Sequence, residues 1–372
     1  MNSIPPLDLV GQFKTIADEV NAAVMAVLAS AQYINGPIVQ SFEQQFAQYI
    51  GTAECVSCNS GTDALFLALR ALGIKAGDEV ITTPFTFFST AEMITAVGAT
   101  PVFVDIDPET LNLDLSLIEA AITARSKAIL PVHLFGQPVD MTRLMAIARA
   151  HSLYVIEDCA QAAGAEWNGQ KVGSFGQVGC YSFYPTKNLG ACGDGGAVTT
   201  SDRQLAQKIR SLRTHGERER YVHEDIGLTS RLDAVQAAIL QIKLRHLDTW
   251  NDRRQNLADR YTTLFDRIPG ITAPRPIAGG KTVWHQYTIR LQNRDAVRSQ
   301  LQQQGVNTML YYPIPMHRQP VYAQAYAQIK LPVAEQVAQE VLSLPMFPEL
   351  SIEQQDRVVY ALKDCLIAAA SS

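Results

Sequence analysis

Lys187 lies in the run Gly179-Cys-Tyr-Ser-Phe-Tyr-Pro-Thr-Lys-Asn-Leu-Gly190, and 29 residues before it the apolar run from Tyr154 to Cys159 carries an acid, Asp158. A buried strand that ends in an acid, then a serine and a lysine in a small-residue loop, meets the needs of pyridoxal phosphate (PLP). The amine forms a Schiff base with the aldehyde. The carboxylate keeps the ring nitrogen protonated, so the ring draws electrons from the substrate carbon. Asp158 has a plainer reading as the cap of a following helix. A carboxylate is rarely buried without a partner, however, and a protonated pyridine at about 3 Å would attract it by on the order of 5 kcal/mol at an effective dielectric of 20. Gln161 is three residues on, about one turn if a helix starts there, where it would meet the ring 3-oxygen; the alternative is a solvated helix glutamine. Ser182 reads either as a phosphate hydroxyl or as a buried strand serine.

Asn59-Ser-Gly-Thr-Asp63 follows an apolar run and opens a helical pattern. Such a turn aims backbone N–H groups and the helix dipole at an anion, and Gly61 permits close approach. Alone it would equally be an ordinary N-cap; beside Lys187 and Asp158 it reads as a phosphate site. Gly193-Asp-Gly-Gly196 lacks the order of a dinucleotide fingerprint and reads as a tight turn. Cys55 and Cys58 have redox or metal spacing, but no second ligand pair accompanies them, so they read as small buried residues. No histidine pair has helical metal spacing, and no metal site is expected.

The elements that must position these residues are visible as pattern. Buried strands are expected over 55–58, 79–83, 101–106, 127–133, 154–158, 179–183 and 196–200, with helices over 62–72 and 141–151 between them. The alternation argues for an α/β unit with a mainly parallel sheet, its functional loops at the strand C-termini. Past Arg203 come helices over 204–212 and 232–250, then a strand over 284–291 and helices over 294–304 and 332–342. That C-terminal part reads as a smaller α+β domain.

The chain has 372 residues, a length that favours two domains. Hydrophobic residues make up 47% and charged residues 18%, as in a globular protein. The net charge of −5 offers no broad basic surface for nucleic acid. The N-terminus does not read as a secretory signal and no apolar run is long enough to span a bilayer, so a cytoplasmic setting is expected.

With those residues in place, the chain resembles the DegT/StrS family of PLP-dependent nucleotide-sugar aminotransferases. The resemblance runs through Gly36-Pro37 with Phe42-Glu43, Ser60-Gly-Thr-Asp-Ala-Leu65, Thr83-Pro-Phe-Thr-Phe87 and Pro101-Val-Phe-Val-Asp-Ile-Asp107. It continues through Pro131-Val-His-Leu-Phe-Gly136, Glu157-Asp-Cys-Ala-Gln161 and Ser182 to Lys187. It implies an α/β protein of PLP-dependent transferase fold type I. A large PLP-binding domain over 1–245, with a mainly parallel seven-stranded sheet, would be joined to a small α+β domain over 246–372. It also implies a homodimer with active sites at the interface.

Carried over by position, Lys187 is the Schiff-base lysine, Asp158 the partner of the ring nitrogen and Gln161 the partner of the ring oxygen. Ser60, Gly61, Thr62 and Ser182 would hold the phosphate, and Phe87 would stack on the ring. A dehydratase branch has histidine in place of this lysine, so Lys187 argues for amino transfer. Gly227-Leu-Thr-Ser-Arg-Leu-Asp233 departs from the family, which usually has asparagine where this chain has Thr229. That asparagine reaches the phosphate of the neighbouring subunit's cofactor, and threonine is shorter. The segment from Tyr311 to Pro320 is similar to members acting on carbon 3 of nucleotide-linked keto hexoses. It is expected to lie over the active site, with Tyr312, His317 and Arg318 near the sugar or its diphosphate, or else to be a structural loop of the small domain. The implied reaction moves an amino group from L-glutamate to a nucleoside-diphosphate keto sugar, a 3-keto hexose or hexuronate. The rivals are a 4-keto specificity, another PLP enzyme, and a non-catalytic regulator on the same fold.

Overall fold

The computed structural model describes residues 3–266 and 268–370. Seven strands form one sheet: β1 (Glu54–Cys58), β2 (Glu79–Thr82), β3 (Thr100–Phe103), β4 (Ser126–Leu130), β5 (Tyr154–Asp158), β6 (Val178–Ser182) and β7 (Gly196–Thr200). Their spatial order is β1-β7-β6-β5-β4-β2-β3. The pairings from β6 to β3 are parallel, and β7 runs antiparallel to both β6 and β1. Parallel strands covered on both faces need continuous apolar runs. Accordingly Val80, Ile81, Ala128, Ile129, Leu130, Val155 and Ile156 are fully enclosed.

The register sets the chemistry at one edge. Asp158 pairs with Cys180, Ser182 pairs with Gly196, and Gly196 pairs with Cys58. The ends of β1, β5 and β6 therefore lie side by side. Helix α1 (Gly61–Ala71) starts at that edge, because the Ser60 side chain accepts a hydrogen bond from Asp63 N–H. Its apolar face, Ala64, Leu65, Leu67 and Ala68, packs on Val56, Ile156 and Val178. The start of α1 is pressed against the sheet. A Cβ on Gly61 would lie 2.6 Å from Ser182 Cβ, and one on Gly196 would lie 2.3 Å from Ser60 O.

A second core gathers the C-terminal residues: Tyr287, Ile289, Leu301, Leu342, Leu344 and Phe347, with Leu257, Ala258, Tyr261 and Phe265. The last four belong to α2 (Ala234–Phe265), which runs well past the 232–250 expected from pattern. Its first half packs into the large core through Ala237, Leu240 and Leu247, and its second half packs into the smaller one. Position 245 lies inside this continuous helix, so the two cores share one element.

The strand expected over 284–291 is only β8 (Tyr287–Arg290), because residues 283–285 bond instead to the turn after β4. Past α3 (Arg294–Gln303), the expected helix over 332–342 is α4 (Pro332–Glu340). The residues after it form β9 (Val341–Leu344), antiparallel to β8. The start of α4 is pinned to the large core, since the Asp105 carboxylate accepts from Val333 N–H at 3.0 Å and Ala334 N–H at 2.9 Å. No helix among the described residues is long and apolar enough to cross a membrane.

Candidate active site

The ends of β1, β5 and β6 open into a cavity of about 590 Å³, lined among others by Ser60, Gly61, Thr62, Asp158, Gln161, Ser182 and Lys187. Asp158 closes β5, and its backbone is fixed by bonds to Pro131 O and from His133 N–H. Its carboxylate accepts from Thr90 Oγ1 at 2.9 Å and from Ala160 N–H at 3.1 Å. Burial pushes the Asp158 carboxyl up from the ordinary range, against those bonds and the pull of Lys187. Lys187 sits in the loop after β6, its N–H bonded to Tyr184 O at 2.9 Å. Burial lowers its ammonium to about 8, and Asp158 opposes the shift. Among the described residues Nζ has no hydrogen bond or ion pair. The cavity thus holds a partly buried, unpartnered amine in the field of a buried carboxylate, a pair whose ionisation each environment disfavours.

Ser60, Gly61 and Thr62 form the first turn of α1, whose leading N–H groups have no helical acceptor. Ser182 lies against Gly61, and its hydroxyl can donate as well as accept. Hydroxyls and backbone N–H groups at a helix start suit a phosphate. An amine for an aldehyde, an acid for a ring nitrogen and an anion cradle, all in one cavity, fit pyridoxal phosphate as a donor set. Phe87 also lines the cavity and is 56% exposed, an open aromatic face of the kind that takes a flat ring.

Gln161 differs from its expected setting. No helix follows β5, and Gln161 lies in a turn. Its Oε1 accepts from Phe135 N–H at 2.6 Å, and its Nε2 donates to Tyr312 Oη at 2.9 Å. Tyr312 therefore does line the cavity, beside Tyr311, and burial raises its phenol.

His317 and Arg318 do not line it. His317 is fully enclosed, with Nε2 2.9 Å from Glu335 Oε1. Arg318 donates to the same oxygen at 2.9 Å and to Ile329 O at 3.0 Å. These bonds hold Glu335 below the usual carboxylate range, His317 contributing most. The two side chains expected near the sugar serve this carboxylate. Thr229 is also outside the cavity of its own chain, on an exposed segment, with Oγ1 2.7 Å from His215 Nε2.

Cys55 and Cys58 are buried free thiols that burial pushes far from ionisation. His133, Glu157 and Cys159 cluster closely. Glu157 is occupied there by the N–H groups of Gly173, Phe175 and Gly176 and by His133, and His133 Nδ1 accepts from Val139 N–H.

Two features in and around the cavity were not legible in sequence. Thr90 supports Asp158, and His285 comes from the C-terminal half. Neither carries a local motif.

The family model for the DegT/DnrJ/EryC1/StrS aminotransferases matches residues 14–363. A pleiotropic regulatory protein of Geobacillus stearothermophilus is 49% identical, covering 96% of this chain and 97% of its own. A UDP-N-acetyl-3-dehydro-alpha-D-glucosamine 3-aminotransferase of Acidithiobacillus ferrooxidans is also 49% identical, covering 98% of each chain. The crystal structure of S. venezuelae DesV in complex with a ketimine intermediate superposes with a TM-score of 0.96 at 45% identity, over 98% of each chain.

Proposed function

The chain belongs to the DegT/DnrJ/EryC1/StrS aminotransferase family, and from that premise we propose that it is a PLP-dependent transaminase moving an amino group from L-glutamate to carbon 3 of a nucleoside-diphosphate-linked keto sugar, a hexose or hexuronate. The observation that carries this reading is the meeting of Lys187, Asp158 and the α1 N-terminus in one cavity. The 3-keto assignment draws on the name of the Acidithiobacillus relative.

Pyridoxal phosphate, when bound there, supplies the aldehyde and the electron sink. The chain's own residues do the rest. Lys187 would hold the cofactor and, with its amine free, would carry a proton to and from the substrate carbon. An amine lowered to about 8 suits both directions near neutral pH. Asp158, its carboxylate oriented by Thr90 and Ala160, would pair with the ring nitrogen, whose positive charge would favour its ionised form. The N–H groups of Gly61 and Thr62, with the hydroxyls of Ser60, Thr62 and Ser182, hold the phosphate. Phe87 covers the ring. Gln161, its amide fixed by Phe135 N–H and Tyr312, would have its remaining N–H free for the ring oxygen. The working unit is a homodimer, with Thr229 reaching toward the phosphate site of the partner subunit, and the setting is cytoplasmic.

The test runs in reverse, because 3-keto sugars are fragile. Purified protein receives 2-oxoglutarate with nucleotide-linked 3-amino or 4-amino sugars, and glutamate is followed. Glutamate from the 3-amino sugars alone is the expected result. Glutamate from 4-amino sugars alone removes the carbon-3 claim and keeps the transaminase. Bound cofactor with no reaction from any amino sugar would favour a regulator, the activity named for the Geobacillus relative.

A further inference from the structure

Two threonines support Asp158 from the segment that presents Phe87 to the cavity. Thr90 lies in the first turn of the helix Ser89–Ala96 and is fully enclosed. Thr86 precedes that helix and is 2% exposed. Thr86 and Phe87 both line the cavity. Thr90 Oγ1 is 2.9 Å from Asp158 Oδ2 and 3.0 Å from Thr86 Oγ1. Neither hydroxyl has another hydrogen bond among the described residues.

A hydroxyl has one hydrogen to give. Thr90 therefore donates either to the carboxylate or to Thr86. A bond to a charged oxygen is about twice as strong as one between neutral groups, so an ionised Asp158 takes the Thr90 hydrogen. Thr86 then has Thr90 as its acceptor, and its hydrogen points the same way. The two O–H groups line up toward Oδ2, and aligned bonds in a low-dielectric interior strengthen one another. Ala160 N–H meets the other oxygen, Oδ1, at 3.1 Å. With one bond on each oxygen the carboxylate cannot swing about its Cβ–Cγ bond. Each oxygen keeps a lone pair for a ligand in the cavity that Asp158 lines.

We propose that Thr86 and Thr90 are positioning residues for Asp158, a chain of two hydroxyls that fixes the carboxylate plane and holds its negative charge for a cationic ring nitrogen. Strand β5 places the Asp158 backbone, and this segment places its charge. The surrounding groups act in known directions. Burial pushes the Asp158 carboxyl up, while the bonds from Ala160 and Thr90, then Lys187 and His133, pull it down. The Tyr312 phenol and the thiols of Cys159 and Cys180 feel the same carboxylate, and burial pushes each of them up, so they bring no charge near neutral pH. The proposal rests on Asp158 serving the ring nitrogen, but its test needs neither cofactor nor turnover.

Carbon-13 spectra of the aspartate carboxyls in the cofactor-free full chain should contain one signal, lost in Asp158→Asn, whose midpoint lies above the ordinary value of about 3.9. Lys187, lowered to about 8, remains an ammonium on the acid side of neutrality and does not titrate with it. Thr90→Val keeps the branched shape and removes the hydroxyl. It should raise the midpoint by about one unit or more, the size expected for losing a hydrogen bond to a charged group. Thr90→Ser, which keeps the hydroxyl, should restore it. Thr86→Val should raise the midpoint by about 0.3 unit, the share that an aligned second bond adds. In the Thr90→Val background Thr86→Val should add nothing, because Thr86 reaches the carboxylate only through Thr90. An unchanged midpoint in Thr90→Val, or a Thr86 effect that persists without the Thr90 hydroxyl, overturns the proposal. If Thr90→Val does not fold, Thr86→Val decides alone, and an unchanged midpoint there overturns it. A chain that passes these tests yet aminates no sugar would refute the proposed function and leave this inference standing.

Discussion

The cavity has two walls of different origin. One is the edge where β1, β5 and β6 end, and it carries Ser60, Gly61, Thr62, Asp158, Ser182 and Lys187. The other is the segment from Leu310 to Tyr312, which belongs to the C-terminal half of the chain. On the first wall, strand register alone brings the side chains together, and the backbone has little freedom to place them elsewhere. On the second, Leu310, Tyr311 and Tyr312 line the cavity. A few residues on, His317 and Arg318 turn to Glu335, and the segment is tied down by Met316 N–H on Pro84 O and by Asp105 at the start of α4. A cation on a loop is drawn to whichever carboxylate lies nearest in the fold, whereas an acid at a buried strand end has almost nowhere else to go. Reactive chemistry is therefore expected to depend sharply on the first wall and weakly on residues past Tyr312.

Substitutions can break that contrast. The largest effect is expected for Lys187→Ala, which should fold but lose the visible absorbance of bound cofactor and fall below detectable transamination. Retained turnover would remove Lys187 from the chemistry. Asp158→Ala should lower kcat by about a hundredfold or more, within the range for losing a charged catalytic group. Asp158→Glu should be milder because a carboxylate remains, and equal rates for the two would deny the ring-nitrogen role.

A stability measurement probes the same wall without cofactor. Lys187 is lowered from 10.5 to about 8 in the folded chain. Between those values the unfolded chain holds the proton and the folded chain has released it, so stability should rise with pH across that window. The full gain is about 3 kcal/mol. Urea unfolding should show this slope in the wild type and lose it in Lys187→Met; a slope retained in the variant would assign it to other groups. Thr229→Val should weaken pyridoxal phosphate binding by about tenfold, if its hydroxyl bonds a charged phosphate across the dimer. Unchanged affinity on titration would confine Thr229 to its bond with His215. The smallest effect is expected at Arg318. It and Glu335 are each about one-third exposed, so the pair contributes little, and Arg318→Ala should change KM for the nucleotide sugar by less than about twofold. A larger KM effect would return Arg318 to the substrate wall and undo the contrast.

The seven strands, the α1 start and the Lys187–Asp158 pair were all legible in residue order, because each depends on neighbours within one element and its flanking turn. Apolar runs become buried parallel strands, Ser60 caps whatever helix follows it, and an acid ending an apolar run faces the sheet edge. Local pattern failed where partners lie far apart. The helix over 232–250 continued to Phe265 because a second core was waiting for Leu257, Ala258 and Tyr261. Residues 284–286 left the expected strand because Phe135 O accepts the N–H groups of His285 and Gln286. Gln161 lost its expected helix, and its amide meets Tyr312, 151 residues away in sequence. The partners of Thr90, His285, His317 and Arg318 were likewise decided only when distant segments packed, since a polar side chain has several possible partners and tertiary proximity selects among them. The class of chemistry is thus written in short runs around Asp158 and Lys187, while the shape of the substrate wall and the hydroxyl pair that supports Asp158 are properties of the folded whole.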